Sequence, residues 1–451
     1  MEPRPSRAHL RTPPPPGSEQ PSTDIRGVRR PHVATASRST WIIPFTFGCV
    51  ILSDRVLVVV STGGHGVLSL LVVVAPCAAI VTLARYGRRR SLGFLEDPAF
   101  MVAVFPYLAL TTVLPILGVM FNGYPERTLL SVTDSTTAVS FLVLGAAAAP
   151  SEKRSWARWL MLGIALQLAY ALGQQIYWSK GPGWEVFSPL ARWDLSLAAL
   201  QGQLGSLGRS TGLYTNPNEL GLWAGVAVVL AWTLLPPRQR SIGIALSAIT
   251  LLLSESRGPA AGLLAALVAG AALSVARGRL ASSSGFKIFL AFVLAGVVAT
   301  LAGVFVAAPG VLFDRFGALY QVLVSGPQAD VNLASRLNLW SGVLTLNSAY
   351  PFGTWGSPEL LLGTAVDSEW FRAFAQGTVV YLAALALVLV ASLAVRNTRY
   401  GDTLRLIGVV VAVAGLTQTP FGSPVIAVFW VFLGLYMQSS VAARRSAQSR
   451  D

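Results

Sequence analysis

Cysteine, histidine and lysine are nearly missing from this 451-residue chain, with two, three and three of each, and charged residues make up only 12% of it. Each scarcity excludes something. Cys49 and Cys77 both lie in apolar stretches, which reads as two buried free thiols and argues against a disulfide framework. His9 and His32 fall in an N-terminal polar tail and His65 in a short connection, so no Cys/His cluster has metal-ligand spacing and no metal is expected. A phosphate-binding glycine loop and a nucleotide fingerprint are also missing, so no cofactor is expected and a nucleotide-driven pump is disfavoured. A soluble chain of this length needs a charged shell. With 53% hydrophobic residues and a mean hydropathy of +0.59, the main solvent is lipid.

What is present is a series of apolar segments. A helix spans the bilayer with about 20 mostly apolar residues. On that basis the expected spans lie near 41–60, 66–84, 98–121, 128–149, 157–176, 217–235, 241–254, 259–276, 287–309, 373–395, 404–417 and 424–440. The first is the weakest, because Asp54 and Arg55 interrupt it. The fold class expected is therefore an all-α polytopic membrane protein of about 12 transmembrane helices. Residues 1–40, rich in Pro, Arg and Ser, cannot build a core and read as a disordered tail without a cleaved signal.

Charge sets the orientation. The net charge of +14 invites a nucleic-acid reading, but in a membrane protein basic residues mark cytoplasmic connections. With the N-terminus inside, 25 of the 34 basic residues fall in the tails or in even-numbered connections, and no nucleic-acid partner is implied. Both termini are then cytoplasmic. The organisation is 1–40 as tail, 41–309 as helices 1–9, 310–372 as a long extracytoplasmic loop, 373–440 as helices 10–12, and 441–451 as a second tail.

The basic residues left on the outer side work against this signal and need a local reason. They include Arg127, Arg209, Arg257, Arg315, Arg336 and Arg372, facing carboxylates such as Glu255, Glu359, Asp367 and Glu369. Simple pairing between the two sets explains any single one about as well as function does. Two outer connections are long, about 177–216 and about 310–372, and long loops concentrate function. In the second, Val311–Ser325 and Asp330–Ala349 have helical spacing, and Pro351-Phe352-Gly353-Thr354-Trp355-Gly356 reads as a turn.

Four motifs stand out. Arg209 through Glu219 ends in Asn216-Pro217-Asn218-Glu219, a helix start with a cap at Asn216. Ser256-Arg257-Gly258 makes a tight outer turn, where Arg257 would pair with Glu255 or serve a ligand. Arg336 and Trp340 share a helix face, which alone suggests a cation–π pair. Asp367-Ser368-Glu369-Trp370 precedes the tenth span, with Asp367 a candidate N-cap.

In this order and on this side, Arg209–Asn218, Ser256–Gly258, Arg336 with Trp340 and Gly353, and Asp367 through Gly377 resemble the O-antigen ligase/polymerase family of bacterial membrane glycosyltransferases. The resemblance covers roughly residues 200–395. It implies a GT-C-like arrangement in the bacterial inner membrane, with the loop between helices 9 and 10 partly helical and catalytic. The implied reaction is metal-independent transfer of a polyprenyl-diphosphate-linked oligosaccharide on the outer leaflet, alongside polysaccharide-assembly proteins. Arg209, Arg257, Arg336 and, more weakly, Arg315 would bind the diphosphate, whose growing charge guanidinium forks stabilise. Asp367 or Glu369 would act on the acceptor hydroxyl beside Arg336, and Asn218, Trp340 and Trp355 would contact acceptor or sugar. Ligases of the family place a histidine where this chain has Asp367. That departure favours a polymerase over a ligase. The rival is a lipid-linked oligosaccharide flippase or polysaccharide transporter, which would need more ionisable residues lining a cavity within the helices.

Overall fold

The computed structural model describes residues 41–52, 57–60, 66–69, 71–124, 126–148, 153–177, 209–214, 216–277, 326, 331–364, 366–396 and 398–449. The tail 1–40, Asp54, Arg55, His65, the segment 178–208, the ninth expected span at 287–309, the proposed helix at 311–325 and Arg315 lie outside these.

The described chain is helical with one exception. Helix α1 (Ile42–Leu52) stops well short of the expected end at residue 60. In its place, β1 (Leu57–Val60) pairs antiparallel with β2 (Gly66–Ser69), Leu57 opposite Ser69 and Val60 opposite Gly66. The run Val58-Val59-Val60 is β-branched throughout, which favours strand over helix once a partner strand is adjacent. The fold class stays helical, with this short hairpin as a local exception that ends the first expected span early, and the second span accordingly begins later, as α2 (Leu71–Tyr86).

The remaining apolar segments form helices close to their expected places. A π-turn at Phe100–Val104 runs into α3 (Phe105–Asn122), which ends on Gly123 in the left-handed region. There follow α4 (Val132–Ala147) and α5 (Lys153–Tyr177). Next come α6 (Pro217–Leu234), α7 (Pro237–Ser254) and α8 (Arg257–Ala276). In the long loop, α9 (Val331–Ala349) matches the expected helix, and a single turn at Glu359–Leu362 follows. The last three are α10 (Glu369–Leu393), α11 (Arg399–Ala414) and α12 (Ile426–Gln448). Among the described residues, four helices are long and apolar enough to cross a membrane, at Phe100–Asn122, Arg257–Ser274, Glu369–Leu393 and Ile426–Gln448, and shorter apolar helices accompany them. The two cysteines are free, but Cys77 lies exposed on α2, contrary to the expectation of burial.

Helix α6 is the central one. Leu220 through Ala231 are buried without interruption, so the helix is apolar on every face and packed all round. Trp223 sits 6.1 Å from Phe47 of α1, edge to face. Around it, helix ends segregate into two faces. On one, Trp41 Nε1 donates to the Tyr86 hydroxyl at 3.3 Å, Arg444 pairs with Asp97 at 2.7 Å and Arg445 with Glu96. There too Arg277 grips Asp402 through both terminal nitrogens, at 2.6 and 2.7 Å, while Arg405 reaches the same carboxylate at 3.0 Å. These are ends that charge patterning assigns to the cytoplasm, so several of the basic residues are also structural ties. Hydrogen bonds to charged partners contribute about 1.5–3 kcal/mol each, so Asp402→Ala, which removes three of them, is expected to lower stability by at least about that much, while Arg405 still donates to the Leu393 and Val395 carbonyls. Chemical denaturation of purified Asp402→Ala protein against the parent measures this.

Candidate functional site

The opposite face gathers the motifs. Asn216 caps α6 by accepting from Asn218 N at 2.8 Å, and Pro217 occupies the first turn, as the sequence pattern implies. This cap turns the Asn218 side chain back toward the preceding segment. Its Oδ1 accepts from Arg209 Nη2 at 3.0 Å and from the Ser256 hydroxyl at 2.9 Å. Arg209 Nε donates to Ser254 O at 3.1 Å, and Ser210 N to Leu253 O at 2.9 Å. Asn218 therefore holds Arg209 in place and joins two motifs distant in sequence. Arg257 is the first residue of α8, exposed, and next to Ser256.

The path continues. Gly258 lies so close to the Thr417 hydroxyl that a Cβ there would overlap it. Just before it, the end of α11 supplies Gly415 O, which accepts from Glu369 N at 2.9 Å and from the Ser368 hydroxyl at 3.1 Å. Ser368, with its side chain accepting from Phe371 N, is the N-cap of α10. The alternative that Asp367 caps this helix is therefore overturned. One residue earlier, Asp367 is freed to face outward, its side chain 54% exposed, with Oδ2 at 3.9 Å from Arg336 Nε on α9. Contacts joined by one or two residues of backbone thus link Arg209 to Arg336.

Of the alternatives for Arg336, pairing with an outer carboxylate is the one seen: it forms a loose, partly exposed pair with Asp367, which uses little of either charge. Two expectations are changed. Trp340 does not form the cation–π pair with Arg336; its ring stacks on Phe371 at 4.8 Å and 11°, fastening α9 to α10. Glu369 does not share the outer surface with Asp367. It is 5% exposed, and its Oε2 accepts from Phe421 N at 3.2 Å. The cap residue Ser368 divides these two carboxylates, one outward and one inward.

Trp355 has a structural task. Helix α10 breaks at Gly377 and Thr378, the latter at φ 56° and ψ −150°. The carbonyls of Ala375 and Gln376, released by the break, accept from Thr354 N at 2.8 Å and Trp355 N at 3.0 Å. Asn122 at the end of α3 donates to Thr354 O at 2.7 Å, and Trp355 Nε1 donates to Phe352 O at 2.8 Å. The turn 351–356 is a plug set into a broken helix. Gly353 (φ 89°) lies against the Gln376 carbonyl, where any side chain would overlap.

Beneath the plug is a cavity of about 30 Å³. Asp134, Glu369, Arg372, Gln376, Tyr381 and Tyr107 contribute to its lining. Arg372 Nε lies 3.5 Å from Glu359 Oε1, too far for a good hydrogen bond, and Nε has no hydrogen-bond partner among the described residues. Tyr381 and Tyr107 stack at 5.7 Å, and the Tyr381 hydroxyl meets Thr111 Oγ1 at 3.1 Å. In the sequence Arg372 and Glu359 stand among the outer charges, while Asp134 lies far from both. Nothing in their spacing joins them. Among the described residues no group of His, Cys, Asp and Glu has the geometry to hold a metal ion.

Comparison with known protein families and with curated proteins finds no match to this chain.

Proposed function

We propose that the chain is a membrane glycosyltransferase of the O-antigen polymerase/ligase type. It transfers or polymerises polyprenyl-diphosphate-linked oligosaccharide on the outer face of the bacterial plasma membrane, with about 12 spans and both termini in the cytoplasm. The observation that carries this reading is a series of contacts joined by short steps of backbone: Asn218 ties Arg209 to Ser256, Gly258 packs on Thr417, Gly415 holds Ser368, and the neighbouring Asp367 pairs with Arg336. Basic groups and one exposed carboxylate, scattered over 159 positions of sequence between 209 and 367 counted inclusively, meet on one face.

In this reaction an acceptor hydroxyl oxygen attacks the anomeric carbon of the donor sugar. A C–O bond forms there, the bond to the diphosphate breaks, and its electron pair leaves with the carrier diphosphate. Arg209 and Arg257 stabilise that growing charge, and Arg336 adds to it. Asp367 accepts the proton, provided the acceptor hydroxyl comes within hydrogen-bond reach. Arg336 Nε lies 3.9 Å from this carboxylate, so the two groups face the same reacting centre. Direct displacement inverts the anomeric configuration. An acidic residue in place of the family's histidine favours the polymerase.

Asn218→Asp tests the basic half. The carboxylate still accepts from Arg209 and Ser256, so the fold is kept, but it cancels part of the charge offered to the diphosphate. Donor affinity is expected to fall about tenfold, equivalent to about 1.4 kcal/mol, as measured by titration with the lipid-linked donor. Unchanged affinity would remove Arg209 from the site.

A second reading, a lipid-linked oligosaccharide flippase, draws on the cavity lined by Asp134, Glu369 and Arg372. Reconstitution in liposomes with a polyprenyl-diphosphate oligosaccharide separates the readings. A ladder of repeat units is the polymerase, and a single transfer to another acceptor is the ligase. Movement between leaflets without transfer is the flippase and overturns the proposal.

A further inference from the structure

The cavity beneath the plug has a composition that narrows its ligand. Arg372 is outnumbered by Glu359, Glu369 and Asp134, so a phosphate would meet net negative charge. The described carboxylates do not converge as metal ligands. An apolar ligand would leave Arg372 Nε, which has no hydrogen-bond partner among the described residues, stranded. What remains is a neutral molecule rich in hydroxyls. Carboxylate, guanidinium and amide groups are planar and fit pairs of adjacent hydroxyls, while the rings of Tyr107, Tyr381 and Phe421 suit the C–H face of a pyranose.

We propose, building on the glycosyltransferase reading, that this cavity is a subsite for one sugar ring of the glycan, entered by displacement of the 353–356 segment. At about 30 Å³ the closed cavity holds water and no ring. The plug is suited to leave. Backbone hydrogen bonds from Thr354 and Trp355 hold it in the break of α10, and Trp355 and Thr378 both carry strained left-handed φ values of 56°. When Thr354 N and Trp355 N withdraw, the Ala375 and Gln376 carbonyls become acceptors, and sugar hydroxyls are donors of matching kind. Backbone freed from helix geometry at membrane depth is tolerated where it lines such a cavity. Asp134, the exposed member of the lining, marks the mouth.

The test uses full-length protein with Cys49 and Cys77 replaced by alanine and Gln376→Cys introduced. A charged, water-soluble methanethiosulfonate reports whether position 376 is reached. The probes are D-glucose, D-galactose, D-mannose and N-acetyl-D-glucosamine. Modification is expected to proceed, and at least one sugar should slow it about tenfold when present at about ten times its Kd. An added Asn122→Cys/Thr354→Cys disulfide should block modification, and reduction should restore it. If Gln376→Cys protein does not fold, Ser131→Cys at the same cavity serves as reporter. No modification, equal modification with the plug locked, or no protection by any sugar overturns the subsite. Protection in a protein that transfers no glycan keeps the subsite and sinks the transferase reading.

Discussion

Arg336→Ala is expected to abolish glycan transfer, with a loss of at least about a hundredfold in a single turnover, while the protein remains folded. The magnitude follows from removing one preorganised donor from a developing negative charge, which costs about 10²–10³ in rate. The intact fold follows from geometry. The Arg336 and Asp367 side chains are 31% and 54% exposed and 3.9 Å apart, and such pairs contribute about 1 kcal/mol or less to stability. Asp367→Asn should cost a comparable factor, about 10²–10⁴, if the carboxylate takes the acceptor proton. The double variant is then informative. Two residues serving the same chemical step lose less together than the product of their separate losses. Repeat-unit ladders from the two single variants and the double, under matched donor, give all three numbers. Normal rates from both single variants would show that the pair is only a surface contact.

Gly145→Leu is expected to yield no folded protein, and Gly145→Ala to cost about 3 kcal/mol, the upper end of ordinary overpacking. Helices α4 and α12 meet through a reciprocal pair. A Cβ on Gly145 would overlap the Val431 carbonyl, and one on Gly434 would overlap the Leu142 carbonyl. Each glycine faces the other helix's backbone, so neither clash is relieved by turning a side chain. Small residues that let backbones approach are the main means of helix association where lipid removes the hydrophobic drive. Gly342→Ala on α9, whose Cβ would meet only Leu362 at 3.8 Å, is the contrasting case and should be neutral or slightly stabilising. Thermal unfolding in mild detergent, compared across the three alanine and leucine variants, decides this. A Gly145→Leu protein with parental stability would mean the helices are not packed as described.

Local chemistry was readable in advance, and tertiary exchange was not. The start of α6 follows from Asn216 and Pro217, because a cap is made within three residues. The span of α9 follows from its spacing, and the basic ends gather on one face as the charge pattern implies. By contrast, the hairpin of β1 and β2 replaces a helix because the valine-rich run Leu57–Val60 finds a partner in Gly66–Ser69, which hydropathy alone does not distinguish from a span. The break at Gly377 is stable only because Thr354 and Trp355, more than twenty positions earlier, supply the missing donors. In the same way, the roles of Asn218 and Trp340 could be guessed as polar and aromatic. Their partners, Arg209 with Ser256 in one case and Phe371 in the other, depend on packing across helices. The outer charges Arg336 and Asp367 were singled out by position. The inner set around Arg372 was visible only as separate anomalies.

The interruption in α10 also has a mechanical consequence. A continuous helix transmits bending and rotation along its length, whereas one severed at Gly377 and Thr378 behaves as two rods on a swivel. The outer rod carries Glu369 and Arg372 and is fastened to α9 through the Trp340–Phe371 stack. Ser392, near the far end of the inner rod, lies against Gly408 of α11. The two rods are thus anchored to different neighbours, one to α9 and the other to α11, on either side of the break.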